Sequence, residues 1–249
     1  MKRALLLAVV VALLLTGCDS DNQAASTETV TTTAPPAAAQ GRVYWLRDGR
    51  VWPVARELES PAVAASALAA LYEGPTVEEQ SDLDFTSALP SGVSAPEVAI
   101  EDGVARIAVD EALAHAPRPL AQVVYTLTQF PSVDSVEING KRYTRADFEK
   151  LTPAILVESP LPLEDVSSPL RVSGTANTFE ATFQYELKDS SGKIVDKNFV
   201  TATSGTGTRG TFDFTTQLFD DVGSLVVLEL SAKDGSRINE VEIPLRMAN

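Results

Sequence analysis

The apolar positions between residues 42 and 152 follow two periods, which predict short strands and two helices. Strict alternation marks the strands, and the pairs Asp48-Gly49 and Asp102-Gly103 mark hairpin turns between them. Apolar residues three and four positions apart mark the helices. The predicted strands lie near 43–46, 51–54, 98–100, 104–109 and 133–138, and the predicted helices run from Ser60-Pro61 to Gly74-Pro75 and from Pro119 to Pro131. Residues 76–97 are predicted to be a long loop.

Two helices packed on one face of a small mixed sheet make this first part an α+β two-layer sandwich. The helical period disappears after Thr152, and short alternating segments with turn residues between them replace it. Seven such strands in about 95 residues are typical of an all-β immunoglobulin-like sandwich. They lie near 155–158, 169–175, 179–188, 193–202, 208–216, 224–233 and 237–247. The side chains expected to fill this sandwich are Phe179, Phe183, Phe199, Phe212, Phe214, Leu228 and Leu230.

The first residues of the chain have the pattern of a targeting segment. Lys2 and Arg3 precede an unbroken apolar run of twelve residues, 4–15. A membrane span takes about 20 apolar residues, so the run fits the central region of a signal peptide better. Thr16-Gly17-Cys18 then resembles a bacterial lipobox, in which the cysteine is acylated and the chain is cut before it. The alternative is an ordinary secreted protein with an incidental free cysteine.

The sequence therefore predicts four regions. Residues 1–17 are a lipoprotein signal peptide, and residues 18–41 are a disordered tether, rich in Ala, Thr and Pro, held by a lipid on Cys18. Residues 42–152 form the α+β domain and residues 153–249 the β-sandwich domain. Prolines at the junction predict a stiff, extended connection. We expect the protein on the extracytoplasmic face of the cell membrane.

Composition narrows the possible partners. The chain has 34 acidic and 20 basic residues and a net charge of -14, which argues against nucleic acid as a partner because phosphate binding needs a basic surface. One cysteine allows no intrachain disulfide and no cysteine-based zinc cluster, and one histidine excludes a multi-histidine metal site.

Three kinds of motif could indicate nucleotide binding, catalysis or metal binding, and each also has a purely structural interpretation. Residues 205–210 match the dinucleotide fingerprint GxGxxG, but a strand-like segment follows where a helix is required, so a loop is predicted. His115 lies in a loop-like stretch without a G-x-S-x-G nucleophile elbow in the chain. The pairs Asp82/Asp84 and Asp220/Asp221 lack calcium-loop spacing and are interpreted as solvated acids. We expect no enzyme, no cofactor and no metal.

Two groups of residues are candidates for a partner interface. Tyr44, Trp45 and Trp52 cluster at the first hairpin and could stack on sugars or dock a protein, or could pack in the core. Tyr125, Thr128 and Gln129 fall off the apolar stripe of the second helix. They are possible surface contacts, although a threonine there can also bond to a carbonyl one turn back. Both interpretations remain open for each group.

The first domain resembles the GerMN domain of bacterial spore-germination lipoproteins. The matching residues are Glu73-Gly74-Pro75, Asp102-Gly103-Val104-Ala105 and above all the run from Gln122 to Pro131. The second domain resembles the immunoglobulin-like domain associated with spore-germination proteins, through Ser159-Pro160, Ser168-Pro169-Leu170 and Gly174-Thr175-Ala176. The segment between Val109 and Leu120 is shorter than the GerMN pattern.

The resemblance implies a lipid-anchored envelope protein with no known enzymatic activity and a fold similar to modules that assemble side by side. We therefore expect a non-catalytic scaffold or protein-interaction module that contacts envelope proteins or its own copies. The alternative is a module that binds cell-wall glycan, peptidoglycan, through Tyr44, Trp45 and Trp52. An envelope hydrolase is a third possibility, and it requires a polar cleft around His115 or a perturbed acidic pair.

Overall fold

A long hairpin opens the part of the chain that this computed structural model describes, residues 38–219 and 221–248. Strands β1 (Ala38–Arg47) and β2 (Arg50–Glu59) are antiparallel, and Asp48 and Gly49 between them both have positive φ, as a two-residue hairpin turn requires. Residues 38–41 belong to β1, so the tether predicted to reach residue 41 ends earlier. Cys18 and the preceding part of that tether lie outside the described residues.

Four α-helices follow, and two of them were not predicted. The predicted helices are found as α1 and α4, but Ser60 is not the N-cap of α1, because this helix begins at Val63 without a side-chain cap. The expected loop 76–97 contains α2, whose start carries a reciprocal capping box between Thr76 and Glu79. The helices are α1 (Val63–Glu73), α2 (Val77–Leu83), α3 (Glu111–Ala114) and α4 (Pro117–Leu127).

A four-stranded mixed sheet completes the first domain. Its strands are β3 (Ala99–Glu101), β4 (Val104–Ile107), β5 (Ser135–Ile138) and β6 (Lys141–Tyr143), in this order across the sheet. The central pair β4–β5 is parallel and the two outer pairs are antiparallel. Helix α4 packs against β1, α1 and β5, and every residue from Pro119 to Leu127 is buried. The α+β class is confirmed, with α4 at the centre of the core.

The second domain contains all seven predicted strands. The sheet β11-β10-β13-β14 faces the sheet β12-β9-β7, and β8 and β15 form a short parallel pair. Phe183 packs against Phe212 at 4.9 Å between ring centroids, and Tyr185 packs against Phe214 at 4.8 Å. The strands are β7 (Ile155–Ser159), β8 (Asp165–Val166), β9 (Leu170–Ala176), β10 (Thr182–Asp189), β11 (Ile194–Thr201), β12 (Gly210–Thr216), β13 (Val222–Leu230), β14 (Arg237–Pro244) and β15 (Arg246–Met247).

Three of the expected filling residues of this sandwich are exposed instead. Phe179, Phe199 and Leu230 keep 51%, 62% and 39% of their surface. Phe199 is exposed because successive residues of a strand point to opposite faces of the sheet. It pairs with Gln184, whose neighbour Phe183 faces inward, and so Phe199 lies on the outer face. Alternation in the sequence does not say which of two apolar sets faces inward.

The two domains are not separate bodies. All described residues fall in one compact unit, where the sequence predicted only a stiff connection. A short 3₁₀ segment, Arg145–Leu151, leaves β6 and leads into β7; we call it the junction segment. It begins with a capping box between Thr144 and Asp147 and carries side chains that contact both domains.

Candidate functional site

A polar stripe at the second half of α4 covers the outer edge of β1. The Tyr44 N–H donates to Thr126 Oγ1 at 3.1 Å, and Gln122 Nε2 donates to the Tyr44 carbonyl at 3.0 Å. The Arg42 N–H donates to Gln129 Oε1 at 2.7 Å, and Gln129 Nε2 donates back to the Arg42 carbonyl at 2.5 Å. Gln122 and Thr126, four residues apart, lie on one face of α4, and Gln129 follows just after the end of the helix. The stripe satisfies an edge that would otherwise expose free main-chain groups.

The structure corrects the expected surface role of Tyr125, Thr128 and Gln129. Tyr125 is buried, and its hydroxyl lies 2.6 Å from Thr152 Oγ1. Thr128 Oγ1 donates to the Val124 carbonyl at 2.7 Å, the alternative that the sequence left open. Gln129 is half-buried and is used by β1. Tyr125 is therefore not a surface contact, and Thr128 and Gln129, both half-buried, use their polar atoms within the domain.

The junction segment joins the two domains through a partly buried ion pair. Arg145 Nη1 donates to Glu158 Oε1 of β7 at 2.9 Å, and the Tyr44 hydroxyl donates to the same carboxylate. Arg145 Nε also donates to Thr128 Oγ1 at 2.8 Å, and its guanidinium carbon lies 4.7 Å from the ring centroid of Tyr125. One arginine therefore contacts β1, α4 and the second domain together.

Burial and charge shift the pKa values of this cluster. Burial opposes ionisation of Glu158, but the charge of Arg145 and hydrogen bonds from Tyr44 and Arg145 outweigh it and lower the pKa of that carboxyl. Burial and the Glu158 charge raise the pKa of the Tyr44 hydroxyl far above its usual range. Burial works against the charge on Arg145, and the neighbouring Tyr44 and Glu158 raise its pKa nonetheless. Both members of the ion pair, Arg145 and Glu158, therefore stay charged near neutral pH.

A second charged contact joins the other end of the junction segment to the β-sandwich. Arg209 donates twice to Glu149, from Nε at 2.8 Å and from Nη2 at 2.9 Å, and Nη2 also donates to the Pro153 carbonyl at 2.8 Å. Asn177 Nδ2 donates to Glu149 as well, at 2.9 Å. Burial opposes the charge on Glu149, but these donors lower its pKa. Arg209 belongs to the 205–210 motif, which lies in the predicted loop after β11 and ends on the first residue of β12.

The tryptophans of the first hairpin lie in the core. Trp45 is fully buried beneath Arg56, 5.8 Å from the guanidinium carbon, and Trp52 lies 4.5 Å below Arg47 with 9% of its surface exposed. Tyr44 is also fully buried. The expected interface of Tyr44, Trp45 and Trp52 is therefore wrong for this arrangement. Both faces of the hairpin are covered, since Val43 and Trp45 on one face and Tyr44 and Leu46 on the other keep at most 4% of their surface.

His115 borders an open cavity of about 480 Å³ at the end of the four-stranded sheet. Apolar side chains from α4, β5 and β6 form its floor, and Glu111 and Lys141 stand at its rim. His115 Nδ1 lies 2.9 Å from the Glu111 carbonyl, and the lining residues include no serine, threonine or cysteine. The cavity offers an apolar floor, and no hydroxyl of serine or threonine and no thiol lines it as a nucleophile for the histidine to activate.

The described members of the acidic pairs lie in or beside α2 and in a turn before β13. Asp84 ends α2 in a left-handed conformation, and Asp82 accepts from Ser81 Oγ at 2.6 Å. Asp221 accepts from Ser190 Oγ at 2.9 Å, and Asp220 lies outside the described residues. In the described part of the chain, no three His, Cys, Asp or Glu side chains are grouped to share a metal ion. The helices of that same part are all too short or too polar to cross a bilayer.

Comparison with known families adds to this geometry. Residues 42–144 match Germane, a family described as "Sporulation and spore germination", and residues 154–236 match Gmad2, the "Immunoglobulin-like domain of bacterial spore germination". The chain carries a Germane domain followed by a Gmad2 domain. The Germane match ends just after β6 and the Gmad2 match begins just before β7, so the junction segment with Arg145 and Glu149 falls between the two matches.

A solved structure of "Tandem GerMN domains of the sporulation protein GerM from Bacillus subtilis" is similar over 46% of this chain, at 21% identity and a TM-score of 0.32. The match spans 43% of that structure's own chain. No curated protein matches this one.

Sequence reasoning missed Arg145, Glu149, Glu158 and Arg209, which hold the Germane and Gmad2 domains together. The threonine and aspartate of the capping box at 144–147 signal a helical turn after β6. No local pattern signals the partners, because Arg145 and Tyr44 are 101 residues apart and Arg209 and Glu149 are 60 apart.

Proposed function

We propose that this protein is a non-catalytic, lipid-anchored scaffold of the bacterial envelope that serves sporulation or spore germination by presenting a protein-interaction surface. The observation that supports this best is the use of its internal polar groups. Tyr44, Arg145, Glu149 and Glu158 are all engaged in holding two domains as one body. Rigid presentation is what a scaffold needs, because ordering costs are then met before a partner arrives.

The lipobox supports the anchoring part of the proposal. Cys18 follows an apolar run and a Thr-Gly pair, and the described fold begins twenty residues later, at Ala38. A flexible segment of this length reaches on the order of 25 Å, about one domain diameter. The two domains would stand away from the membrane surface, and their acidic charge favours this because anionic lipid repels it.

Cys18→Ala tests the anchor. We expect the wild-type chain in the membrane fraction of intact cells and the Cys18→Ala chain released from it, or retained with its apolar leader uncleaved. A Cys18→Ala chain that is cleaved and still membrane-bound would contradict lipid anchoring. Gln23→Ala, a change in the same tether, is the matched control and should leave both fractionation and cleavage unchanged.

The glycan-binding alternative depends on stacking of sugars on Tyr44, Trp45 and Trp52. All three side chains are buried, which argues against it. Tryptophan fluorescence tests it directly. We expect no change in emission on addition of peptidoglycan fragments, and a saturable change would revive that alternative.

A further inference from the structure

Four charged side chains form a continuous ladder across the four-stranded sheet of the Germane domain. Glu101 of β3 lies 3.1 Å from Arg106 of β4, Arg106 lies 3.7 Å from Glu137 of β5, and Glu137 lies 3.8 Å from Arg142 of β6. The signs alternate from one strand to the next. Arg106, Glu137 and Arg142 are directly paired across the strands, and Glu101 pairs with Val104, which shares the face of Arg106. The buried Ala105 and Val136 occupy the other face, so the ladder lies on the face opposite the core.

The ladder is unfinished at both ends. Glu101, 73% exposed at its side chain, ends it on β3, and Arg142, 57% exposed, ends it on β6. Among the described residues, no strand pairs with the outer edge of β3 or of β6. The open edge of β3 therefore carries an exposed negative charge, and the open edge of β6 carries an exposed positive charge.

The two edges are also complementary in shape. Ile100, 41% exposed, pairs with the buried Ala105 and so lies on the core face of β3 at the open edge. The core face of β6 borders the cavity of about 480 Å³, with Lys141 and Tyr143 in its wall. An exposed apolar side chain thus lies at one edge, and an open cavity with an apolar floor and a polar rim lies at the other.

The directions of the edge strands allow the charge contact and the apolar contact to form at the same time. β3 and β6 run the same way, because β4–β5 is parallel and each outer pair is antiparallel. When two copies of the protein lie side by side in the same orientation, β6 of one copy therefore lies parallel to β3 of the next. Setting Glu101 opposite Arg142 then places Ile100 beside Lys141 at the cavity, because neighbouring residues alternate between faces.

We propose that copies of this protein associate head to tail through these two edges, with Glu101 of one copy paired to Arg142 of the next and Ile100 seated in the cavity beside β6. This rests on the proposed scaffold function and names its partner as a second copy. Both edge strands have only three residues, so side chains carry most of the contact. Exposed pairs are individually weak, and anchoring in one membrane plane supplies the concentration that weak contacts need.

Charge reversal with complementation tests the proposal. Two differently tagged full-length copies are expressed together in cells, lightly cross-linked, and one tag is captured while the other is measured. Wild-type copies should capture each other. Glu101→Lys and Arg142→Glu should each lower self-capture by about tenfold, because like charges then face each other. Mixing Glu101→Lys copies with Arg142→Glu copies should restore capture, since the two introduced charges are opposite and face each other across the contact.

The control is Glu57→Lys, the same charge change at an exposed position on β2, which should leave capture unchanged. Restoration in the mixture also shows that both variants are folded. Absence of wild-type self-capture, or capture that neither reversal lowers, overturns the proposal. Capture lost in the single variants and not restored in the mixture also overturns it.

Membrane fractionation of the same cells separates this inference from the proposed function. A chain that is membrane-bound through Cys18 and cross-links to a different protein, but not to itself, leaves the scaffold function standing and removes the head-to-tail contact.

Discussion

Two arrays of charged side chains occupy different parts of this molecule. The junction array, Arg145–Glu158 and Arg209–Glu149, lies where the two domains meet, and its Glu158 side chain is 14% exposed. The ladder from Glu101 to Arg142 lies on an open sheet face, where Glu101 is 73% exposed. Both arrays pair arginine with glutamate at 2.8–3.8 Å.

Burial determines what each array does. Charges removed from water must keep their partners, because an unpaired buried charge loses its hydration without compensation. The junction array therefore makes the two domains interdependent. Charges on an open face keep most of their hydration, so their pairing adds little stability but still favours one orientation of an approaching surface.

The largest expected effect comes from removing a buried partner. Glu158→Ala leaves Arg145, which is 26% exposed at its side chain, without its carboxylate, and we expect a loss of about 3 kcal/mol in the free energy of unfolding. Urea titration followed by circular dichroism measures it. Glu101→Ala, the same truncation at the exposed end of the ladder, should cost under about 1 kcal/mol. Equal losses in the two variants would contradict the comparison.

Replacing the second buried arginine should have an intermediate effect. Lysine in place of Arg209 cannot donate twice to Glu149 and also reach the Pro153 carbonyl, so Arg209→Lys should cost about 1.5–3 kcal/mol. Arg171 also donates twice to a carboxylate, Asp213, but at an exposed position. Arg171→Lys is the matched control and should change urea stability by less than about 0.5 kcal/mol. The prediction fails if the control loses as much as the Arg209 variant.

Acid should weaken the junction more gently than truncation does, because a protonated Glu158 keeps its place and part of its hydrogen bonding. The pKa of Glu158 and that of Glu149 are lowered in the folded protein, so the unfolded chain binds more protons in this range. The stability that they contribute is complete above the ordinary glutamate pKa of about 4.3 and is lost as the pH falls through the lower folded values. Melting temperatures between pH 7 and pH 3 measure this loss.

Glu158→Gln sharpens the acid test, since it removes one of the two titrating groups while preserving side-chain shape. Its melting temperature should fall less than that of the wild type over the same pH range. A wild-type stability that rises on acidification would contradict the assignment.

The smallest expected effect is at the middle of the ladder. Glu137→Gln weakens two pairs on the open sheet face, both longer than 3.5 Å at 3.7 and 3.8 Å, and should change the free energy of unfolding by less than about 0.5 kcal/mol. Differential scanning calorimetry at low and high salt checks this. A large, salt-sensitive loss would show that the ladder stabilises the sheet as the junction stabilises the domains.

Much of the fold was predictable because its signals are local. The turn pairs Asp48-Gly49 and Asp102-Gly103 require positive φ and lie between the predicted strands. Strand alternation located the seven longer strands of the second domain, and the two-residue strands β8 and β15 were not predicted as separate elements. Helix α2 was missed although its capping box was readable at Thr76 and Glu79, since no apolar period accompanies it. The start of α1 was misplaced because Ser60-Pro61 resembles a cap and is not one.

The candidate site was less predictable, for a physical reason. Tyr44, Trp45 and Trp52 have a composition that suits an interface, and only packing shows that both faces of their hairpin are covered. The polar side chains of α4 lie outside the apolar stripe and suggest a solvent-facing surface. They instead satisfy the edge of β1, about 80 residues earlier in the chain.

The sequence by itself determined the order of the elements, the two domain classes, the acidic charge and the lipobox at Cys18, because each depends on neighbouring residues or on composition. Only the tertiary structure decided which charges are buried between the domains and which remain open at a sheet edge. Burial is a property of groups brought together from distant positions, as Tyr44, Arg145 and Glu158 are here. The same Arg–Glu chemistry therefore fixes the domains in one place and leaves a surface for association in another.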